Sequence, residues 1–286
     1  MTARVILPEN TLAGIRTGAG EVIHAPTAGR DFLQEYVMVA PLALSLVRGA
    51  ESELFAQEPL IRPVLDAGCG DGLFAHVTYR QPLDAGIDLS TAEVRRANKR
   101  GAYHHVIHGS VTAIPVPDAT FNTVISNCVF EHIAPLEEAF AEIFRVLAPG
   151  GRYLFTAHSH LYDDYLFYVR LFRKLGLRRA AELYAGFIRK LFKHFNCFSP
   201  AQWTQILGKT GFTRVTTRYY LPRRTESAFD AMLALSSLAY ISKNTLGRWV
   251  IGPRLPVWRV WRPVMKRLHV IDPPDGGALF IIAHKD

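Results

Sequence analysis

Between residues 61 and 158 short apolar runs alternate with helical patterns, and few architectures tolerate that rhythm. IRPVLDAG (61–68) reads as a buried strand ending in Asp and Gly, and LFAHVTYR (73–80) as a short helix. LDAGIDLS (83–90) is a second strand. TAEVRRANKRG (91–101) is a helix with Ser90 or Thr91 as N-cap and a glycine stop. YHHVIHGS (103–110) and FNTVISN (121–127) are further strands. PLEEAFAEIFRVLAPGG (135–151) starts a helix on proline and stops it at PGG, and GRYLFTAH (151–158) is the fifth strand. Strands and helices joined by short links imply a parallel sheet covered on both faces. Ligands of such sheets lie beyond the carboxyl ends of the strands, where strand order reverses. The first strand, which runs into VLDAGCGDG (64–72), is the candidate for that point.

The rest of the chain is less regular. The stretch DFLQEYVMVAPLALSLVRGAESELFAQ (31–57) reads as helix, broken or kinked at Pro41. FSPAQWTQILGKTGF (198–212) is a helix capped by Ser199, with Pro200 in its first turn and Gly211 at its end. TRVTTRYYL (213–221) and GALFIIAHK (277–285) add two strands, for seven in all. The expected organisation is an N-terminal helical lead-in (1–60), a core (61–157 with 198–222 and 276–286), and two helical insertions (158–197 and 223–275).

Charge marks the same insertions. The net charge is +8. Residues 161–195 hold eight Lys/Arg against three Asp/Glu, and residues 223–275 hold nine against four. Each segment is therefore net +5, and the remaining chain is mildly acidic. Three dispersed cysteines, Cys69, Cys128 and Cys197, suggest neither a disulfide framework nor a metal site. The first twenty residues lack the apolar run of a secretory signal, and AMLALSSLAYIS (231–242) is too short to span a bilayer. A cytoplasmic location follows as the expectation.

Glycines at 68 and 70 allow backbone to approach a ligand with no Cβ between them. A dinucleotide fingerprint would need G-x-G-x-x-G, but the spacing here is G-x-G-x-G, preceded by Asp66. VLDAGCGDG resembles motif I of the class I S-adenosylmethionine-dependent methyltransferases. Further segments extend the resemblance: Asp88 at the end of the second strand, GSVTAIPVPDATFNTVISNCVFEHI (109–133), APGGRYLFT (148–156) and FSPAQWTQILGKTGF. The likeness covers residues 60–160 well and 198–221 loosely. Its nearest subgroup is the small-molecule enzymes related to the ubiquinone and menaquinone methyltransferases.

The resemblance implies a doubly wound, seven-stranded, mostly parallel α/β sheet with helical caps, and S-adenosyl-L-methionine as cofactor. By the same likeness Asp66, Gly68, Cys69 and Gly70 form the loop around the methionine moiety, with Asp66 answering its ammonium. Asp88 holds the ribose hydroxyls, since one carboxylate accepts two hydrogen bonds. Leu89 lies against the adenine, and Val111 offers its backbone N–H to the ring. Ser110 stands where the family usually has Asp, so that contact is weakened or reduced to a turn. Asn127 lies nearest the methyl and the methionyl amine. Arg30 or Tyr36 is the candidate for the methionyl carboxylate. Asp66 and Asp88 also read as strand-end or helix caps, and Cys69 and Cys128 as small apolar packers.

Methyl transfer needs alignment and exclusion of water, and a base if the acceptor is a hydroxyl. His132, after the fourth strand, and His158 and His160, after the fifth, are the candidates, each with a structural role as its alternative. Aromatic residues crowd the first insertion, and RWVIGPRLPVWRVWRPVMKRL (248–268) carries three tryptophans in the second. Aromatics beside Arg and Lys suit a large hydrophobic acceptor or an anionic membrane surface, and equally a helical cap with a solvated basic face. The absence of an RNA-binding motif argues against nucleic acid. The expected function is methylation of a small, hydrophobic acceptor, on oxygen before carbon. The alternative is a non-catalytic S-adenosylmethionine-binding partner or regulator.

Overall fold

The computed structural model describes residue 15 and residues 19–233 and 254–286. A short antiparallel ribbon pairs β1 (Val22–Ile23) with β2 (Leu60–Ile61). The main sheet contains β3 (Val64–Ala67), β4 (Leu83–Asp88), β5 (Tyr103–His108), β6 (Phe121–Asn127), β7 (Leu147–His158), β8 (Thr213–Tyr220) and β9 (Ala278–His284). Its order is β5-β4-β3-β6-β7-β9-β8. Only β9 runs antiparallel to its neighbours. This is the doubly wound, seven-stranded, mostly parallel sheet that the sequence implies. Strand order reverses at β3, and the glycine loop leaves its carboxyl end there.

Helices α1 (Phe32–Val39), α2 (Leu42–Ala56), α3 (Leu73–Tyr79), α4 (Thr91–Arg100), α5 (Leu136–Val146), α6 (Tyr162–Tyr165), α7 (Phe167–Lys174), α8 (Arg178–Phe192), α9 (Pro200–Thr210) and α10 (Leu255–Leu268) surround the sheet. Residues 223–233 are also helical. Period-two alternation divides the core. Phe155 and Ile281 pack with Phe140 of α5 and Trp203 of α9 on one face, while Leu154 and Phe280 pack with Phe55 of α2 and Phe74 of α3 on the other. Each such wholly buried side chain contributes on the order of 1.5–3 kcal/mol by leaving water. The lead-in helix α2 is thus part of the core, and even its polar Ser45, Glu51 and Ser52 are buried.

Pro41 breaks the lead-in into two helices, one of the two outcomes expected there. Two local readings change. PGG is not a helix stop: α5 ends at Val146 because Leu147 already pairs with Phe121 of β6. The next pairing is Thr123 with Arg152, so the PGG residues bulge from within β7. The stretch 161–195 breaks at Leu166 as well as near Gly176; extended backbone at Leu166 separates α6 from α7. Of the second insertion, residues 234–253 lie outside the described residues, as do most of AMLALSSLAYIS and the start of the tryptophan-rich run. Among the described residues no helix is long and apolar enough to cross a membrane.

Candidate active site

The loop after β3 is tied down by its neighbour strand. The N–H groups of Gly68 and Cys69 both donate to the carbonyl of Ile87, at 2.8 and 2.9 Å. The N–H of Gly70 donates to Asp88 Oδ2 at 2.9 Å, and that of Ser90 to Asp88 Oδ1 at 2.8 Å. Gly68 and Gly70 have φ of +84° and +52°, a region L side chains rarely enter. They are glycine for different reasons. A Cβ on Gly68 would stand 2.5 Å from Val129 Cγ2, whereas one on Gly70 would meet nothing within 4 Å and would project into open space.

That space is a cleft of about 180 Å³ lined by Tyr36, Arg48, Asp66, Gly68, Cys69, Gly70 and Asn127, among others. Asp66 is buried at the end of β3 and accepts the Tyr103 hydroxyl at 2.7 Å. Burial pushes its carboxyl up to about 7, against the Tyr103 hydrogen bond. Asn127 donates through Nδ2 to Thr156 Oγ1 at 3.3 Å, while its buried Oδ1 finds no partner among the described residues. An ionisable carboxyl, an orphaned carbonyl and a bare Gly70 converge. This set fits the ammonium-bearing methionine chain of S-adenosylmethionine, where a cation and close backbone approach are needed.

A second cleft of about 170 Å³ is lined in part by Leu44, Arg48, Cys128, Glu131, His132 and His158, together with Tyr162, Phe192, His194, Leu221, Glu226 and Phe229. Leu44 and Arg48 of α2 line both clefts. Arg48 Nη1 donates to Glu51 Oε2 at 2.7 Å, and Glu51 Oε1 accepts from Cys128 Sγ at 2.9 Å and the Tyr220 hydroxyl at 2.8 Å. Both carboxyl oxygens of the fully buried Glu131 lack a hydrogen-bond partner among the described residues, and His158 Nε2 stands 3.9 Å from its Oε1. Burial raises Glu131 to about 8, and burial followed by Asp230 and Glu51 raises Glu226 to about 8. His158 is pushed well below the ordinary histidine value by burial and then by His194 and His132, and burial lowers His194 to about 3. The wall is therefore largely uncharged at neutral pH. Neutral imidazoles face protonated acids.

The structure does not bring every expected residue to these clefts. Tyr36 lines the first cleft, wholly buried, with its hydroxyl accepting from Ser52 at 3.2 Å. Arg30 does not line it: its guanidinium is held by Glu35 and by the carbonyls of Val77 and Thr78 at the end of α3. Leu89 is 73% exposed beside the cleft loop, and Val111 is buried. The Ser110 hydroxyl bonds Thr112 Oγ1 at 2.8 Å and accepts the Thr112 N–H at 3.2 Å, a turn that braces its own loop. His132 and His158 line the second cleft, but His160 is exposed and lines neither. His160 is one turn position past β7, beyond Ser159, which is pinned to Gly276 and Gly277.

Sequence reasoning missed Arg48, Glu51, His194 and Glu226. One signal was available: Arg48 and Glu51 stand three residues apart in a mostly apolar helix, where opposite charges invite a pair. His194 and Glu226 lie in the insertions and have no local pattern.

Residues 65–155 match a family model described as a methyltransferase domain. The matched segment is about a third of the chain and includes the glycine loop and Asp88. Among similar proteins, a malonyl-[acyl-carrier protein] O-methyltransferase of Serratia marcescens is 36% identical over 32% of this chain and 37% of its own length. The corresponding Enterobacter lignolyticus protein is 33% identical over 39% of this chain and 45% of its own. The chain thus spans less than half of the relatives it matches. Solved structures extend the likeness of fold. A methyltransferase of Thermotoga maritima, described as a possible histamine N-methyltransferase, aligns over 88% of this chain and 94% of its own, with TM-score 0.54 and 16% identity. The phosphoethanolamine N-methyltransferase 2 of Haemonchus contortus, in complex with S-adenosylhomocysteine, aligns over 99% of this chain and 61% of its own, with TM-score 0.51 and 16% identity.

Proposed function

We propose that this chain transfers the methyl group of S-adenosylmethionine to a small, hydrophobic acceptor, with oxygen the favoured nucleophile, in secondary, lipid or quinone metabolism. One observation carries the reading: two clefts of about 180 and 170 Å³ share a wall made of Leu44 and Arg48, the first built from the glycine loop and the second from apolar and histidine side chains. Clefts that share lining residues let a donor's methyl and an acceptor's nucleophile meet in line where they adjoin, the alignment that methyl transfer demands.

S-adenosylmethionine supplies an already activated methyl on a sulfonium. The chain's residues position and deprotonate. Asp66 ionises as it receives the ammonium, and Asn127 Oδ1 accepts from the same group. Asp88 keeps free lone pairs for the ribose hydroxyls while bracing Gly70. Leu89 and the Val111 N–H frame the adenine, Ser110 holds the loop, and Tyr36 and Cys69 close the side of the cleft. In the second cleft, Nδ1 of neutral His158 takes the acceptor's proton as the methyl transfers, with Glu131 beside Nε2. His132 positions the neighbouring rings through its contact with His194, at 5.1 Å between centroids. Helices α6–α8 and residues 223–275 act as the substrate cap. Relatives named as O-methyltransferases support oxygen, and the small-molecule subgroup related to the quinone enzymes remains the proposed affiliation. The carboxyl oxygens of Glu131 and Oε2 of Glu226, which lack partners among the described residues, favour a second reading, an amine acceptor whose hydrogens would satisfy them.

Calorimetry with S-adenosylmethionine, S-adenosylhomocysteine and NAD tests the donor. Failure of the first two to bind overturns the proposal. Transfer of a tritiated methyl to a panel of hydrophobic phenols, alcohols and amines then tests the acceptor. Donor binding with no transfer to any of them would favour the regulatory alternative.

A further inference from the structure

Sixteen large apolar side chains are conspicuously exposed among the described residues, and twelve of them fall in only two segments, 167–195 and α10. In the first segment they follow helical spacing. Phe167, Leu171 and Leu175 recur every four residues along α7 and its end, and Leu183, Phe187, Leu191 and Phe195 do so along α8 and beyond. Leu183 is 75% exposed and Phe187 58%. These stripes do not belong to the hairpin's core. Val169 of α7 and Ala181, Ala185 and Ile188 of α8 are buried on the opposite sides of the same helices. The loop joining the two helices adds Leu175 and Leu177, 62% and 51% exposed.

Cations accompany the stripes. At 100° per residue Lys174 lies close to the line of Phe167 and Leu171, and Arg179 and Lys190 lie close to that of Leu183. All three are exposed and form no ion pair among the described residues, whereas Arg173 and Arg189 are paired with Asp164 and Asp163. Helix α10 repeats the pattern. Trp258 and Met265 pack against α1 and α2, while Val260, Trp261 and Val264 are exposed among Arg259, Arg262 and Arg267.

An amphipathic helix that turns apolar residues and unpaired cations outward together is what an anionic lipid interface accommodates. Neither cleft of the active site is lined by the exposed stripes, and the most exposed leucines lie at a loop tip and on a helix surface rather than in a groove for a folded partner. We infer that the α7–α8 hairpin seats the protein on the surface of an anionic bilayer, with its leucine and phenylalanine stripes at the acyl boundary and Lys174, Arg179 and Lys190 among the headgroups. Phe192 of α8 lines the acceptor cleft from the hairpin, beside Tyr162 of the preceding α6. The docked helices therefore form part of the wall through which a membrane-dissolved acceptor would be reached. The docking itself does not depend on the acceptor's identity.

Flotation of the full chain with phosphatidylcholine vesicles, with and without phosphatidylglycerol, tests this. Binding is expected with phosphatidylglycerol at low salt, weaker by about tenfold in neutral vesicles, and falling as salt rises. The triple variant Leu183→Ser/Phe187→Ser/Leu191→Ser should lose about tenfold or more in partitioning while keeping its affinity for S-adenosylhomocysteine. Arg179→Glu/Lys190→Glu, which leaves the apolar stripe intact, should remove most of the salt-sensitive part and decides the matter if the triple variant does not fold. No binding to anionic vesicles at low salt overturns the inference, as does unchanged binding by the variants. A wild-type dimer in sedimentation that becomes monomeric in the triple variant would assign the face to a second copy of the chain instead.

Discussion

The two clefts meet at one wall but are built on opposite principles. The donor side is largely consecutive: residues 66–70 supply an acid and a loop whose backbone donors are fixed by Ile87 and Asp88 of the next strand. The acceptor side is assembled from side chains that lie far apart in the chain: Arg48 from the lead-in, Glu131 after β6, His158 at the end of β7, His194 after α8 and Glu226 in the second insertion. Backbone geometry around a common cofactor leaves little to vary. A pocket of side chains set on insertions can be exchanged without disturbing the sheet. The family model spans residues 65–155, so the glycine loop falls inside it while Phe192, His194 and Glu226 fall beyond it.

Perturbing each side separately sharpens that contrast. The largest effect is expected from His158→Gln: with an oxygen acceptor, kcat should fall about 10²–10⁴-fold while donor affinity holds. An equal loss of donor binding would show that the two sides are not separable. Next comes Asp88→Ala, which removes the ribose acceptor and the brace on Gly70 together. Titration calorimetry should register a loss on the order of 2–4 kcal/mol in S-adenosylhomocysteine binding, and unchanged affinity would refute the ribose role. Phe192→Ala, on the acceptor wall, should raise the acceptor KM about tenfold and leave the donor Kd where it was.

The smallest signal is protonic. The Asp66 carboxyl stands at about 7 in the free protein, so below that pH it is mostly protonated. An arriving ammonium favours the carboxylate, so donor binding near pH 6 should release up to about one proton, and near pH 8.5 almost none. Calorimetry in two buffers of different ionisation enthalpy measures this, and Asp66→Asn should abolish it. Affinity should accordingly strengthen as pH rises through about 7. Proton uptake instead of release would contradict the assignment.

Legibility in the sequence follows the same divide. The alternation of 61–158, the Ser199 cap and the G-x-G-x-G spacing are local patterns, and each reappears in the coordinates. Asp66, Asn127 and Tyr36 line a common cleft. Local patterns failed where a distant contact overrode them. PGG bulges from β7 because Leu147 pairs with Phe121 before the glycines arrive. Arg30, the alternative to Tyr36 for the methionyl carboxylate, is drawn away by the carbonyls at the end of α3, a helix end that needed satisfying. His160 shares its neighbourhood in sequence with His158, but only one of them faces the cleft, and two residues of spacing carry no information about that once the strand has ended. Glu226 and His194 bear no periodic signal because a pocket wall built from loops and helix ends has none.

Arg48 has a consequence for how the two halves communicate. Its guanidinium borders both clefts and is tied through Glu51 to Cys128 and Tyr220. A single fixed cation at a shared partition makes the two compartments one electrical unit, because a charge gained or lost on either side is felt across it. Thermodynamic reciprocity then applies: whatever factor the donor's presence imposes on acceptor affinity, the acceptor must return to the donor. The arginine that both ligands border thus makes each of them an effector of the other.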